Sequence, residues 1–99
     1  MLKDLNIPMG PIENLCREYN VAELAVFGSA VREDFRSDSD IDLLVTFQPE
    51  AKIGLIGFIG LQQQLEEVLG RKVDLVSKRG LKPLIRDEVL SSARLLYAA

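Results

Sequence analysis

One continuous apolar run constrains the fold of this chain more than any other feature. Leu43, Leu44 and Val45 follow one another within the segment 40–47. A strand with one solvated face alternates apolar and polar residues, whereas a run without alternation is typical of a strand covered on both faces. Pro49 ends the segment, because proline cannot donate a hydrogen bond to a sheet. We therefore expect this strand to lie inside a sheet and not at a solvent-facing edge.

The other apolar segments are short, or repeat at helical spacing. Strands are predicted at 21–27, 40–47 and 71–77, and helices at 11–19, 30–35, 54–69 and from Pro83 onward, where Leu84, Ile85, Val89, Leu90, Leu95 and Leu96 form an apolar stripe. Gly70 fits the left-handed position after a helix, and Pro83 fits a first helical turn. The order α-β-(α)-β-α-β-α predicts an α/β domain with a small sheet and helices packed on it.

Length and composition limit the class of protein. The 99 residues are enough for one modest core, so we expect a single domain over 1–99. Apolar residues make up 47% and charged residues 27%, which is typical of a folded globular chain. No apolar run approaches the roughly 20 residues that span a bilayer, and the N-terminus lacks a signal pattern. We expect a cytoplasmic protein without membrane contact.

The chain contains no histidine and a single cysteine, Cys16. A Cys/His catalytic pair is therefore excluded, and the commonest general base and zinc ligand are missing. Acid–base or metal chemistry must depend on carboxylates, whose oxygens suit Mg²⁺ or Mn²⁺. We interpret Cys16 as a core or half-buried residue without a catalytic role.

Charge is distributed unevenly along the chain. Residues 1–70 contain five Lys and Arg against twelve Asp and Glu, whereas residues 71–99 contain seven against three. The acidic part is unlike a surface that binds DNA or RNA directly. The basic part suits an acidic partner or a triphosphate, although a solvated helix face is an equally good explanation.

Three aspartates fall on predicted strands. Asp40 and Asp42 are two residues apart, so they project from one face of a strand about 6.6 Å apart. Two carboxylates aimed at one point repel each other unless a cation lies between them. Asp74 can join them if its strand is the neighbour. Three such carboxylates can hold two Mg²⁺ ions roughly 4 Å apart, which suits phosphoryl or nucleotidyl transfer.

A glycine turn precedes these aspartates. Gly28 allows the backbone to approach a phosphate, Ser29 adds a hydroxyl, and Arg32 is placed to reach the same anion. Taken singly, each feature has a structural explanation: Gly-Ser is a common turn, and Asp40 can cap backbone groups. An aspartate such as Asp74 can also protect an edge strand. The joint pattern favours a site.

The segments Gly28-Ser29-x-x-Arg32, Ser39-Asp40-Ile41-Asp42-Leu43 and Val73-Asp74-Leu75 together resemble the polymerase-β-like nucleotidyltransferase superfamily, in its minimal form that pairs with HEPN-domain toxins. The resemblance implies a mixed sheet flanked by helices. It also implies that Gly28 and Ser29 bind nucleotide phosphates, with Arg32 and Ser39 as further contacts. Asp40, Asp42 and Asp74 would be the catalytic metal ligands, and Asp74 would also serve the incoming nucleophile. Glu33 stands where many relatives carry glycine.

The resemblance further implies ATP as substrate, two Mg²⁺ ions with Mn²⁺ as the alternative, and transfer of AMP to a hydroxyl. Since larger relatives bind the acceptor with additional domains, we expect another protein or a second copy of this chain to bring it. The family alone points to a tyrosine of a HEPN toxin, with this chain as the antitoxin. The alternative is a catalytically idle module that neutralises its partner by covering the partner's active site.

Glycine recurs at every third position in the predicted helix 54–69, as Gly54, Gly57 and Gly60. Each glycine inside a helix costs about 1 kcal/mol relative to alanine. One explanation is that the helix begins late and that this region is a loose entry packed on the sheet. The other explanation is a small-residue face that a partner helix approaches closely.

Overall fold

The computed structural model describes residues 7–28 and 40–99, and the architecture below refers to these ranges. In chain order the elements are α1 (Met9–Glu18), β1 (Val21–Phe27), β2 (Ile41–Phe47), α2 (Leu55–Leu69), β3 (Val73–Ser77), a 3₁₀ turn (Lys78–Gly80), α3 (Pro83–Ser92) and β4 (Arg94–Ala98). The helix predicted at 30–35 lies outside the described residues. None of the helices described is long and apolar enough to cross a membrane.

The four strands form one mixed sheet in the order β3-β2-β1-β4. β1 pairs antiparallel with β2 and with β4, whereas β2 and β3 are parallel. Parallel strands need a long crossover, which α2 provides here. β2 therefore lies inside the sheet, and both this placement and the predicted α/β class with a mixed sheet are confirmed.

The core lies on the sheet face that α1 and α2 cover. Leu43 and Val45 point into it and are fully buried, together with Ile12 of α1 and Leu65 of α2. Leu44 points to the opposite face and is nevertheless only 5% exposed. The unbroken apolar run in β2 thus reflects burial on both sides, as expected.

Cys16 is part of this core, as predicted, and is 1% exposed. Burial, with a smaller contribution from the carboxylate of Glu13, raises the pKa of the Cys16 thiol to about 11. The thiol is therefore protonated at neutral pH and is a poor nucleophile.

The end of the chain corrects a prediction. Leu95 and Leu96 were expected to continue the last helix, but α3 ends at Ser92 and both residues belong to β4. Ala93 already has an extended backbone, and Leu95 pairs with Ala25 of β1. Helical spacing is a local signal, whereas β4 forms because a distant strand offers an open edge.

The start of α2 corrects another. The helix begins at Leu55 and not late, so Gly57 and Gly60 lie inside it. A Cβ atom at Gly60 would lie 3.3 Å from the Tyr19 hydroxyl, which also accepts a hydrogen bond from Gln64 Nε2. Gly60 therefore allows α1 and α2 to approach each other. Whether the glycines also form an interface with a partner stays a prediction.

Candidate active site

Gly28 and Asp42 are in contact where β1 ends and β2 begins. Asp42 pairs with Phe27, the last residue of β1, which brings its side chain beside Gly28. Gly28 has a φ of +71°, and a Cβ atom there would overlap Oδ2 of Asp42 and lie 3.0 Å from its Cγ. Glycine is thus required both by the left-handed backbone and by the carboxyl group. This contact joins two of the predicted site residues.

Asp42 and Asp74 lie side by side on neighbouring strands. They are register partners in the parallel pair of β2 and β3, so both project to the same face, about 4.8 Å apart along the sheet. Asp42 is half-buried and Asp74 is exposed. The condition for Asp74 to join the other aspartates, that its strand neighbours that of Asp42, is met.

Asp40 lies one residue before β2 and is exposed. The amide of Ile41 donates a hydrogen bond to the carbonyl of Lys72 at 2.9 Å, which ties this point of the chain to the start of β3. Asp40 therefore stands at the same end of the sheet as the other two aspartates, where β2 and β3 begin. The predicted site residues Ser29, Arg32 and Ser39 lie outside the described residues.

Two adjacent carboxylates suit a divalent cation, because oxygen ligands are those that Mg²⁺ prefers and because a cation relieves their repulsion. Across residues 7–28 and 40–99, however, no group of three or more Asp, Glu, Cys or His side chains is arranged to hold a metal ion. The donor set of Asp42 and Asp74 fits such an ion, and the three-aspartate cluster stays a prediction.

A cavity of about 430 Å³ lies next to Gly28. Its walls combine β1 with α3 and β4, and include Phe27, Ile85, Val89 and Arg94. This cavity and Arg94 were not predicted from the sequence, because residues 94–98 were expected to continue the last helix. Arg94 is the added candidate for contact with an anionic substrate, and only the pairing of β4 with β1 brings it here.

Comparison with known proteins identifies the family. Residues 11–96 match the Nucleotidyltransferase domain family. A protein adenylyltransferase, MntA, of Thermococcus cleftensis is 45% identical over 78 residues, which cover 79% of this chain and 77% of that protein. A solved structure described as a minimal nucleotidyltransferase is 39% identical, with a TM-score of 0.76 over 94% of this chain and 93% of that one.

A third match extends the likeness in fold alone. A chain in the structure of the tri-AMPylated Shewanella oneidensis HEPN toxin in complex with the MNT antitoxin has a TM-score of 0.66 and 24% identity, covering 92% of this chain and 70% of that chain. The mixed sheet and helices described above agree in fold with these solved structures. The chain belongs to the nucleotidyltransferase domain family.

Proposed function

We propose that this chain transfers AMP from ATP to the hydroxyl group of a tyrosine in a HEPN-domain toxin. In this proposal the chain is the antitoxin of a toxin–antitoxin pair. The observation that carries the proposal is the register that sets Asp42 beside Asp74, with Gly28 against Asp42. The 45% identity to a protein adenylyltransferase supports AMP transfer to a protein. The toxin–antitoxin complex of the same fold supports a HEPN partner.

The reaction assigns a role to each aspartate. Asp40, Asp42 and Asp74 would hold Mg²⁺, which when bound neutralises phosphate charge and aligns the attacking and leaving oxygens. The acceptor oxygen bonds to the α-phosphorus of ATP, the bond from that phosphorus to the pyrophosphate oxygen breaks, and pyrophosphate leaves. Asp74, exposed at the sheet edge, takes the proton of the acceptor hydroxyl.

The phosphate contacts come from the other side of Asp42. The left-handed backbone at Gly28 allows a phosphate to approach the main chain, and Ser29, Arg32 and Ser39 would complete the contacts. Arg94, in the cavity beside Gly28, adds a positive charge for the same anion.

The test mixes the full chain, ATP labelled in the α-phosphate, Mg²⁺ and a HEPN-domain protein from the same organism. Label is expected on the HEPN protein, at a tyrosine. Asp42→Asn and Asp74→Asn should each lower the rate about a hundredfold or more. Glu67→Gln, which removes a carboxylate from an exposed position on α2, should leave the rate unchanged.

Unchanged labelling by Asp42→Asn would contradict the proposed site, and a HEPN protein without label would contradict the activity. The idle-module alternative is distinguished by the double variant Asp40→Asn, Asp42→Asn. If this variant neutralises the toxin as well as the parent chain does, neutralisation depends on binding alone.

A further inference from the structure

A second cavity, of about 250 Å³, opens at the opposite end of β2 from the aspartates. We call it the distal pocket, and its lining includes Thr46, Phe47, Phe58, Ser77, Lys78 and Arg79. Five residue steps along β2 separate Phe47 from Asp42, which is about 16 Å of extended strand. The pocket is therefore separate from the end of the sheet where Asp40, Asp42 and Asp74 lie, which we call the aspartate edge.

One wall of the distal pocket is apolar and is held by a ring contact and by backbone hydrogen bonds. The rings of Phe47 and Phe58 meet edge to face, with centroids 6.3 Å apart and an interplanar angle of 62°. The following turn is held by two hydrogen bonds: Gln48 N donates to Asn20 O at 2.8 Å, and Ala51 N donates to Gln48 O at 3.0 Å. This wall is formed before any ligand binds, which lowers the entropy cost of binding.

The other wall carries positive charge. Lys78 and Arg79 follow β3 directly, in a turn that Leu81 N closes by donating to Lys78 O at 3.4 Å. Neither side chain forms an ion pair or a hydrogen bond with any residue the structure describes. No Asp or Glu is among the lining residues within 7–28 and 40–99, and Ser77 and Thr46 add hydroxyl groups.

We propose that the distal pocket binds a small organic phosphate, a phosphate monoester that carries a ring or a similar apolar group. Two cations and two hydroxyls match a dianion with several acceptor oxygens, and the Phe47–Phe58 wall matches a ring. At 250 Å³ the pocket is just below the range of about 300–1,000 Å³ that drug-sized ligands occupy, so the ligand is small. This site does not depend on the proposed AMP transfer.

The test is a nuclear magnetic resonance titration of the full chain without divalent ions, using phenyl phosphate, inorganic phosphate and benzyl alcohol. Phenyl phosphate is expected to shift the amide signals of residues 46–51 and 77–80 and to bind at least about tenfold more tightly than either fragment probe. Shifts confined to the aspartate edge would overturn the proposal. Equal binding of inorganic phosphate would overturn the role of the ring.

Variants distinguish specific binding of phenyl phosphate in the pocket from non-specific electrostatic attraction of the anion to the basic segment. Arg79→Gln and Lys78→Gln should each weaken phenyl phosphate binding about tenfold. Lys82→Gln removes the same charge from an exposed residue nearby that does not line the pocket, so it should change the affinity less than twofold. Equal weakening by all three variants would overturn the proposal. Phe58→Leu, which keeps an apolar side chain, should weaken phenyl phosphate and leave inorganic phosphate unaffected.

Discussion

The two faces of the sheet differ in what their residues do. Where α1 and α2 cover one face, Leu43 of β2 and Leu65 of α2 are both fully buried. On the other face lie Asp42 and Asp74, and the neighbouring α3 has no buried residue among its ten, with Leu84 96% exposed. Successive β2 residues point to opposite faces, so Leu43 and Val45 lie in the core while Asp42 lies on the other face with the proposed site residue Asp74. On this second face burial is confined to residues such as Leu44 and Ala25, whereas Asp42 is half-buried and Asp74 is exposed.

Removing a large side chain from the covered face should have the largest effect. Leu65→Ala is expected to lower the free energy of unfolding by about 2–5 kcal/mol, because it leaves a cavity in the core. Leu84→Ala on α3 should change it by less than about 0.5 kcal/mol. Chemical denaturation of both variants measures the difference. Similar losses would mean that α3 stabilises the fold as much as α2 does.

A smaller effect on stability is expected at Gly28, which follows β1 and lies against Asp42. Gly28→Ala should cost about 1–3 kcal/mol, since it combines a positive φ with overlap on Asp42. Gly70→Ala is the matched control: its φ of +70° is almost the same, but nothing lies within 4 Å of the added Cβ. It should cost about 1 kcal/mol. Nucleotide transfer should fall with Gly28→Ala only, and equal behaviour of the two variants would contradict the role of the contact.

The third comparison concerns pH and again tests the face covered by α1 and α2. The folded Cys16 thiol has a pKa of about 11, above its ordinary value of 9.0, so the folded chain keeps a proton that the unfolded chain loses. Stability should therefore decrease as pH rises from 9 towards 11, by about 1.4 kcal/mol per pH unit from this group. Denaturation at several pH values measures the slope. Cys16→Ala should flatten it; an unchanged slope would assign it to other groups.

Several elements could be predicted from the sequence because their signals are local. The strand at 21–27, the αL conformation of Gly70 and the first helical turn at Pro83 are where the residues predict them. That Asp42 and Asp74 lie side by side could be predicted only on the condition that their two strands are neighbours in the sheet, which they are. In each case the deciding interactions lie within a few residues or follow from the parallel pairing.

The parts that were missed depend on contacts far apart in sequence. β4 exists because β1 has a free edge for residues 94–98, and no local pattern in that segment shows the pairing. The cavity with Arg94 depends on the same pairing. The distal pocket depends on the turn after β2 and the turn after β3 lying side by side, because these two strands are parallel neighbours. The overlap of a Cβ atom at Gly28 with Asp42 is likewise a distance between two strands.

That overlap also makes positions 28 and 42 dependent on each other during evolution. A side chain at position 28 clashes with the carboxyl group of Asp42 and is also disfavoured by the positive φ of Gly28. A descendant protein that loses the carboxylate is freed from the clash but not from the unfavourable backbone conformation. The order of substitutions then matters, because a change at 28 is tolerated better after a change at 42 than before it. Loss of catalysis would therefore tend to begin at the aspartate, and a glycine at 28 would persist for some time in descendants that no longer transfer nucleotides.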